Sequence, residues 1–299
     1  MLATLSTGAV LQGCGRQKSL QSEESAPPFS FRALDLQQRT RQGLPAWSLK
    51  SPEARYDLRS SVARALRPEG VIFAKGKPLY RLSATTGTVI NDGAVMLLEG
   101  EIRLQRLGKD PLLLSADRVL WIPRESRMRF ELGPKVRNLQ TQLSSQAATL
   151  LLEKDLLELR GQPTFKRWRQ PVPMNARTSE LAPEILGTFK EVDWRPEQGD
   201  LKAKGPVSIS RRPPLRAGHL PPQLLKGSRL EGNTVQQGYT LFGPVEFVDP
   251  SERSWFRGAD LAFNIKESQL MHRADFQGKK GDLQVQGQEL MVDLSLIHI

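Results

Sequence analysis

The sequence is poor in the side chains that carry most catalytic and metal chemistry. Its 299 residues include one cysteine and three histidines. A single cysteine excludes both an internal disulfide framework and a cysteine-rich metal site. The histidines, His219, His272 and His298, do not form a His-x-x-x-His pair, and neither a glycine-rich phosphate loop nor a Gly-x-Ser-x-Gly elbow occurs. We therefore expect no enzymatic activity, no catalytic residue, no cofactor and no bound metal.

Long apolar runs are also missing, and acidic residues are in the minority. No segment reaches the roughly 18 consecutive apolar residues that a membrane-spanning helix needs. The chain has 43 Lys and Arg against 32 Asp and Glu, which gives a net charge of +11. Such a surface favours anionic partners: nucleic acid, acidic lipid headgroups or the phosphates of a glycolipid. Because no RNP-like, KH or zinc-finger motif occurs, we expect no nucleic-acid partner.

The N-terminal segment contains the one cysteine. Residues 2–13 are uncharged, small and apolar, and the sequence Leu-Gln-Gly-Cys14 that ends this stretch resembles the lipobox of bacterial lipoprotein signal peptides. The resemblance implies a signal segment at 1–14, lipidation at Cys14 and a flexible linker at 15–28, since two acyl chains hold a protein stably on a membrane. No positive charge precedes the apolar stretch. The alternative is that Cys14 is an unmodified residue of a frayed N-terminus.

The strongest pattern along the chain is alternation of apolar and polar residues, which is typical of strands with one buried face. In 96–105 the even positions are mostly apolar and charged residues stand between them, and the same parity runs through 127–132. We predict that ten apolar residues line a shared interior and contact lipid there: Met96, Leu98, Ile102, Leu104, Met128, Phe130, Leu132, Leu157, Leu159 and Phe165. The alternative is that each belongs to an ordinary packed core.

A second pattern is a repeated glycine step. An apolar-rich strand runs into a glycine six times, at Gly100, Gly133, Gly161, Gly205, Gly243 and Gly287. Glycine inside a strand marks a bulge or a sharp bend, so one glycine per unit would bend every strand alike. Such units must stack to bury their apolar faces. We predict an all-β fold: a β-jelly-roll, or folded-over β-stack, that is built from repeated strand pairs and is open at both edges.

Breaks in the alternation predict two modules. The proline-containing segment at 170–174 separates a first β-jelly-roll module, 29–170, from a second β-stack module, 171–299. The chain stops abruptly on Leu-Ser-Leu-Ile-His-Ile at 294–299, so we expect the second module to be truncated at its C-terminus. Whether this second module binds lipid is left open.

Residues 29–104 carry a family resemblance. The segments 43–57, 70–73, 78–82 and 87–89 resemble the opening strands of LptC-family domains, and Leu-Glu-Gly-Glu-Ile at 98–102 resembles the family's repeated Leu-x-Gly-x-Val step. The whole chain is longer than the short LptC proteins and resembles extended, cyanobacterial-type versions with an added β-stack.

The resemblance implies a component of lipopolysaccharide export at the periplasmic face of the inner membrane. Its apolar groove would accept the acyl chains of lipid A from an inner-membrane lipopolysaccharide ABC transporter. It would pass them toward the outer membrane through an LptA-like periplasmic bridge protein, which pairs with an edge strand. The alternative function is a structural or adhesive β-solenoid lipoprotein whose core is filled by its own side chains.

Overall fold

The computed structural model describes residues 29–108, 111–174, 176, 178, 181–212, 221–267 and 269–293. Within these residues every strand belongs to one antiparallel sheet. The strands of the first half are β1 (Phe29–Phe31), β2 (Leu34–Arg39), β3 (Pro45–Ser51), β4 (Glu53–Asp57), β5 (Val62–Leu66), β6 (Glu69–Ala74), β7 (Lys77–Ser83), β8 (Thr86–Ile90), β9 (Val95–Arg106), β10 (Leu112–Ile122), β11 (Arg127–Glu131), β12 (Lys135–Arg137), β13 (Thr141–Ser144), β14 (Ala147–Leu151), β15 (Leu156–Arg160) and β16 (Thr164–Arg167).

The remaining strands continue the same sheet. They are β17 (Ile185–Thr188), β18 (Glu191–Trp194), β19 (Asp200–Arg211), β20 (Gln223–Asn233), β21 (Gly238–Asp249), β22 (Ser254–Asn264), β23 (Gln269–His272), β24 (Phe276–Lys280), β25 (Leu283–Gly287) and β26 (Leu290–Asp293). Single 3-10 turns at Asn91–Gly93, Pro123–Glu125 and Leu152–Lys154 connect neighbouring strands.

The chain crosses repeatedly between two walls of the sheet. Wall A contains, in spatial order, β1, β4, β5, β8, the first half of β9, the second half of β10, β11, β14, β15, β18, the first half of β19, the second half of β20, the first half of β21, the second half of β22, β23 and β26. Wall B contains β2, β3, β6, β7, the other halves of β9 and β10, β12, β13, β16, β17, the other halves of β19 to β22, β24 and β25. The predicted folded-over β-stack is therefore confirmed.

The repeated glycines lie where the chain passes from one wall to the other. Gly100 is in the middle of β9 and has a φ of +74°, and Gly161 lies between β15 and β16 with a φ of +78°. Side chains other than glycine rarely adopt this region. A Cβ on Gly161 would also lie 2.6 Å from the side chain of Gln146 on the neighbouring crossing. Glycine thus provides both the backbone angle and the space for the bend.

The core fills the space between the walls. Buried apolar side chains from both walls form one cluster that extends along the chain from Trp47 to Phe276. Alternation produces this cluster, because inward residues of each strand oppose inward residues of its neighbours, as Leu98 opposes Val119 and Leu104 opposes Leu114. Hydrophobic burial along this interior is the main stabilising term of the fold.

The sheet continues without a break across the predicted module boundary. Strand β15 pairs with β18 and β16 pairs with β17, so both walls extend past residue 170. We call residues 168–184, which connect β16 to β17, the outer loop. Its described part packs on the outside of wall B, where the buried Arg137 guanidinium donates to the carbonyls of Val172, Pro173 and Ala176 at 2.6–3.0 Å. The division into two modules stays a prediction.

Three sequence-based predictions lie partly or wholly beyond this description. The signal segment at 1–14 with Cys14, the linker at 15–28 and the end at 294–299 fall outside the described residues. In the described part of the chain no helix is long and apolar enough to cross a membrane. The same part contains no cluster of His, Cys, Asp and Glu that could hold a metal ion.

Candidate functional site: the interior between the walls

Most of the predicted lipid-contacting residues point into the interior. Eight of the ten are at most 1% exposed: Met96, Leu98, Ile102, Leu104, Met128, Phe130, Leu157 and Leu159. Phe165 is partly buried and packs against the same cluster. The alternation in β9, β11 and β15 therefore predicted the direction of these side chains. Lipid contact by these residues remains a prediction.

Leu132 is the exception, and its placement in the interior was wrong. Its side chain is 63% exposed. Strand β11 ends at Glu131, and Leu132 has a φ of +60° at the bend before β12. Alternation holds only for extended backbone, so the left-handed residue at the bend interrupts the parity and turns the Leu132 side chain outward.

The two walls touch each other near the first end of the stack. Trp47 on wall B and Trp121 on wall A have ring centroids 5.6 Å apart in an edge-to-face arrangement. A Cβ on Gly93, in the turn before β9, would lie 2.9 Å from the Trp47 ring, so this wall A turn also contacts the ring. The Trp47 indole N–H donates to Gln38. Trp47 thus bridges the walls, and sequence reasoning missed it because the contact joins distant segments.

Two groups with a raised pKa lie at the open rim, opposite the bends. Burial, and after it the Asp155 carboxylate, raises the pKa of Tyr80 to about 12. Tyr80 belongs to β7 on wall B, and Asp155 lies in the turn between β14 and β15 on wall A. Burial also raises the pKa of Asp155, although its carboxylate accepts a hydrogen bond from the Glu197 amide at 2.6 Å and faces Arg106 and Arg195.

These contacts decide what the interior can hold in this conformation. Met96, Leu98 and Ile102 have no accessible surface, so no space as wide as a water molecule adjoins them. An acyl chain is wider than a water molecule and would enter here only if the walls separate. The interior is a lipid-compatible apolar surface, and it is closed around these residues.

The one described histidine is a structural side chain. His272 is 1% exposed, and its ring packs edge-to-face against Phe256 and Phe276. Its Nδ1 atom lies 3.0 Å from the Asp260 carboxylate. The other two histidines lie outside the described residues. Burial between two aromatic rings leaves His272 no open side for a substrate or a metal ion.

Comparison with known proteins gives a family match and a few similar solved structures. No curated protein matches the chain. One similar solved structure is the crystal structure of LptH, the LptA homologous periplasmic component of the conserved lipopolysaccharide transport device from Pseudomonas aeruginosa. It is 11% identical, with a TM-score of 0.33, over 48% of this chain and 93% of that one.

A family model gives the assignment. The model described as "Lipopolysaccharide-assembly, LptC-related" matches residues 1–164, which is 164 of 299 residues and so more than half of the chain. It covers the first three glycine bends, the Trp47 contact and all the residues predicted to contact lipid except Phe165. The chain belongs to the LptC-related family of lipopolysaccharide-assembly proteins.

Proposed function

We propose that this chain is a periplasmic component of lipopolysaccharide export that holds the acyl chains of lipid A between its two walls. The observation that carries the proposal is the continuous apolar cluster, which runs along the interior from Trp47 to Phe276. A conduit requires such a surface along its whole length, because acyl chains exposed to water at any point lose the hydrophobic stabilisation. The chain itself performs no chemical step.

Loading requires the walls to move apart. Because the interior around Met96 and Ile102 is closed, a ligand must replace contacts between the walls with its own apolar contacts. That exchange is close to balanced, since both states bury apolar surface. The contact that opens is the Trp47–Trp121 pair. Energy for loading would come from the ABC transporter that extracts the glycolipid from the inner membrane.

Transfer would proceed through the ends of the stack. Among the described strands, β2 at one end and β25 at the other each pair with a neighbour on one side only. An exposed strand edge is a template for pairing with another chain. On the last strands Leu283, Val285 and Met291 are 42–68% exposed, which is typical of a surface that another apolar edge covers. We propose that an LptA-like bridge protein pairs with one of these edges.

A membrane tether would hold the module at its source. We propose that Cys14 carries the lipid anchor and that residues 15–28 form the linker to the first strands. Mass spectrometry of detergent-extracted protein tests this proposal. A diacylglycerol adduct on Cys14 at a new N-terminus supports it, and an unmodified Cys14 with Met1 still attached contradicts it.

The second candidate is a structural β-solenoid lipoprotein, and the same burial favours it. Side chains that leave no space beside Met96 and Leu98 are what a permanently filled core would show. The two functions differ in whether the walls ever separate, so the test must detect lipid inside the stack during export.

Site-specific photo-crosslinking in cells separates the two functions. A benzophenone amino acid at Phe130 replaces one buried aromatic by another, and the adjacent Arg129 on the same strand points outward as a matched control. Phe165 and Lys166 form a second such pair on wall B. Export predicts glycolipid adducts at Phe130 and Phe165 but not at Arg129 or Lys166. A folded protein that gives no adduct at either inward position during active export contradicts the conduit.

A further inference from the structure

The outer face of wall B carries an excess of positive charge. From β7 to β20 the outward residues that are paired within this wall include Arg81, Arg103, Lys135, Lys166 and Lys226. No described outward residue of these strands that is paired within wall B is acidic, and the nearest carboxylates are Glu69 on β6 and Glu246 on β21, which oppose Ser83 and Lys226. Glu101 and Asp117 lie at the bend, outside the paired part of the wall. The five cations make no ion pair with any carboxylate among the described residues.

Wall A is different, because most of its outward cations from β9 to β20 lie close to carboxylates. Arg118 lies 3.9 Å from Glu99, Arg129 lies 2.9 Å from Glu131, Arg160 lies 2.7 Å from Asp193, Lys204 lies 3.4 Å from Glu191 and Arg229 lies 3.4 Å from Glu231. Among the described residues of β7 to β20, the excess of positive charge is thus on wall B. Unmatched like charges repel each other, so a face of this kind is complementary to an anionic partner.

Hydroxyl groups connect three of these cations, Arg103, Lys135 and Lys226, in one line across the sheet. Residues that oppose each other in successive strands, from β9 to β20, form what we call the hydroxyl–cation row: Arg103, Ser115, Lys135, Ser144, Thr164, Thr188, Ser208 and Lys226. Each member is partly or fully exposed. With neighbouring strands 4.7–4.9 Å apart, the row is about 34 Å long. It contains no apolar side chain.

The row ends in a groove on the outside of the bends. The groove has a volume of about 850 Å³ and is lined by Ser208, Lys226, Arg257 and Glu246, with Pro206 and Pro244 among its other lining residues. The Arg257 guanidinium is paired with the Glu246 carboxylate at 2.8 Å, so Lys226 is the cation of the groove that has no ion pair among the described residues. The inner side of the same bends is filled. A Cβ on Gly227 would lie 2.6 Å from the Leu241 side chain, and one on Gly258 would lie 2.8 Å from the His272 ring. The groove therefore opens away from the interior.

We propose that the hydroxyl–cation row and its groove bind an anionic polysaccharide, a glycan strand that carries carboxylate or phosphate groups. Lysine and arginine provide the charge for the anionic groups, and the serine and threonine hydroxyls donate to and accept from sugar hydroxyls. A glycan that runs across the strands contacts one residue of the row for about each sugar unit, because the distance between strands is close to the length of one hexose in an extended chain. An acidic bilayer is a poorer match, since a membrane-binding surface also inserts apolar side chains.

Binding of a defined oligosaccharide to the purified protein tests the proposal. The probe is a galacturonic acid octamer, and maltooctaose is the neutral control of equal length. The row variant is Arg103→Gln/Lys135→Gln/Lys226→Gln, which removes the three cations of the row. The matched control is Arg118→Gln/Arg129→Gln/Lys202→Gln, which removes the same charge from wall A. Isothermal titration at low and physiological salt gives each affinity, and circular dichroism checks that both variants are folded.

We expect the octamer to bind more weakly as salt rises, and maltooctaose not to bind measurably. The row variant should lose about tenfold in affinity, because it removes three exposed charge contacts, each of which contributes modestly. The wall A variant should lose less than twofold. Replacing hydroxyls in Thr164→Val/Thr188→Val should weaken binding about threefold without changing its salt dependence.

Three results would overturn the proposal. Equal losses in the row and wall A variants would mean that net charge alone attracts the octamer. Equal binding of maltooctaose would exclude recognition of the anionic groups. Binding of phosphatidylglycerol vesicles, sensitive to the row variant, without any binding of the octamer would assign the row to a membrane surface. None of these measurements depends on lipid entering the interior.

Discussion

Replacing Trp47 by alanine tests whether the walls are held together by side-chain contact across the interior. Trp47 is 5% exposed and touches Trp121 and the Gly93 turn of the opposite wall. Truncation of a buried tryptophan costs about 3–5 kcal/mol, of which about 0.5–1.5 kcal/mol comes from the aromatic pair. We expect the free energy of unfolding to fall by about that amount.

The same substitution should also make the interior accessible. Removing the indole leaves a void between Trp121 and the Gly93 turn, and apolar ligands enter such dry cavities. We expect Trp47→Ala to bind a fluorescent fatty acid analogue more tightly than the wild type does. Unfolding by urea, followed by far-ultraviolet circular dichroism, gives the stability, and titration with the analogue gives the binding.

Trp255→Ala provides the matched control, because Trp255 is a partly exposed tryptophan on the outside of wall B. This substitution should lower the free energy of unfolding by no more than about 1.5 kcal/mol and leave fatty acid binding unchanged. A loss below about 1 kcal/mol for Trp47→Ala would refute the bridging contact. A loss of about 3–5 kcal/mol without any gain in fatty acid binding would indicate that the core collapses around the void, which is the behaviour expected of a filled solenoid.

Three further predictions follow from other parts of the structure. Arg137→Ala removes a buried guanidinium that holds several outer-loop carbonyls, so we expect a loss of about 2–4 kcal/mol and faster amide hydrogen exchange in the outer loop, with little effect from the exposed neighbour Lys135→Ala. The pKa of Asp155 is raised in the folded state above its ordinary value of 3.8, so the folded protein binds this proton more tightly than the unfolded chain does. The free energy of unfolding therefore falls as the pH rises from 3.8 through the raised pKa of Asp155. Asp155→Asn should flatten this dependence of the urea midpoint and leave stability at neutral pH equal or higher, so a lower midpoint at neutral pH would contradict the burial argument. Gly161→Ala combines a φ of +78° with a close contact and should cost about 1–3 kcal/mol by thermal unfolding, whereas Gly238→Ala, where a Cβ meets nothing within 4 Å, should cost less than about 1 kcal/mol.

The sequence predicts those features of the fold that depend only on residues close together in the chain. Alternation in β9 and β15 places Met96, Leu98, Leu157 and Leu159 in the interior, since the direction of a side chain along an extended strand depends only on its position. The glycine steps predict the bends for a similar local reason. The prediction for Leu132 was wrong because the backbone is not extended at the bend, and the alternation of the sequence does not show where the extended backbone ends.

Features that depend on long-range pairing could not be predicted in this way. Arg137 has the parity of an outward residue and does face outward, yet the outer loop covers it. Nothing in the sequence of residues 135–137 indicates that a loop covers the Arg137 side chain. The hydroxyl–cation row is also invisible in the sequence, because its eight members are spread over about 120 residues and are brought into line only by the register of eight successive crossings.

The two faces of this architecture separate two kinds of ligand chemistry. Inward positions are apolar along the whole length, so they suit acyl chains, and opening the interior exchanges one set of apolar contacts for another. Outward positions on wall B carry cations and hydroxyls that suit the charged sugars attached to such chains, or a separate glycan of the cell envelope. Since both faces belong to the same strands, opening the walls at the Trp47 contact would tilt the row as well. A change in octamer affinity upon Trp47→Ala would show that the two faces are coupled, and an unchanged affinity would show that they act independently.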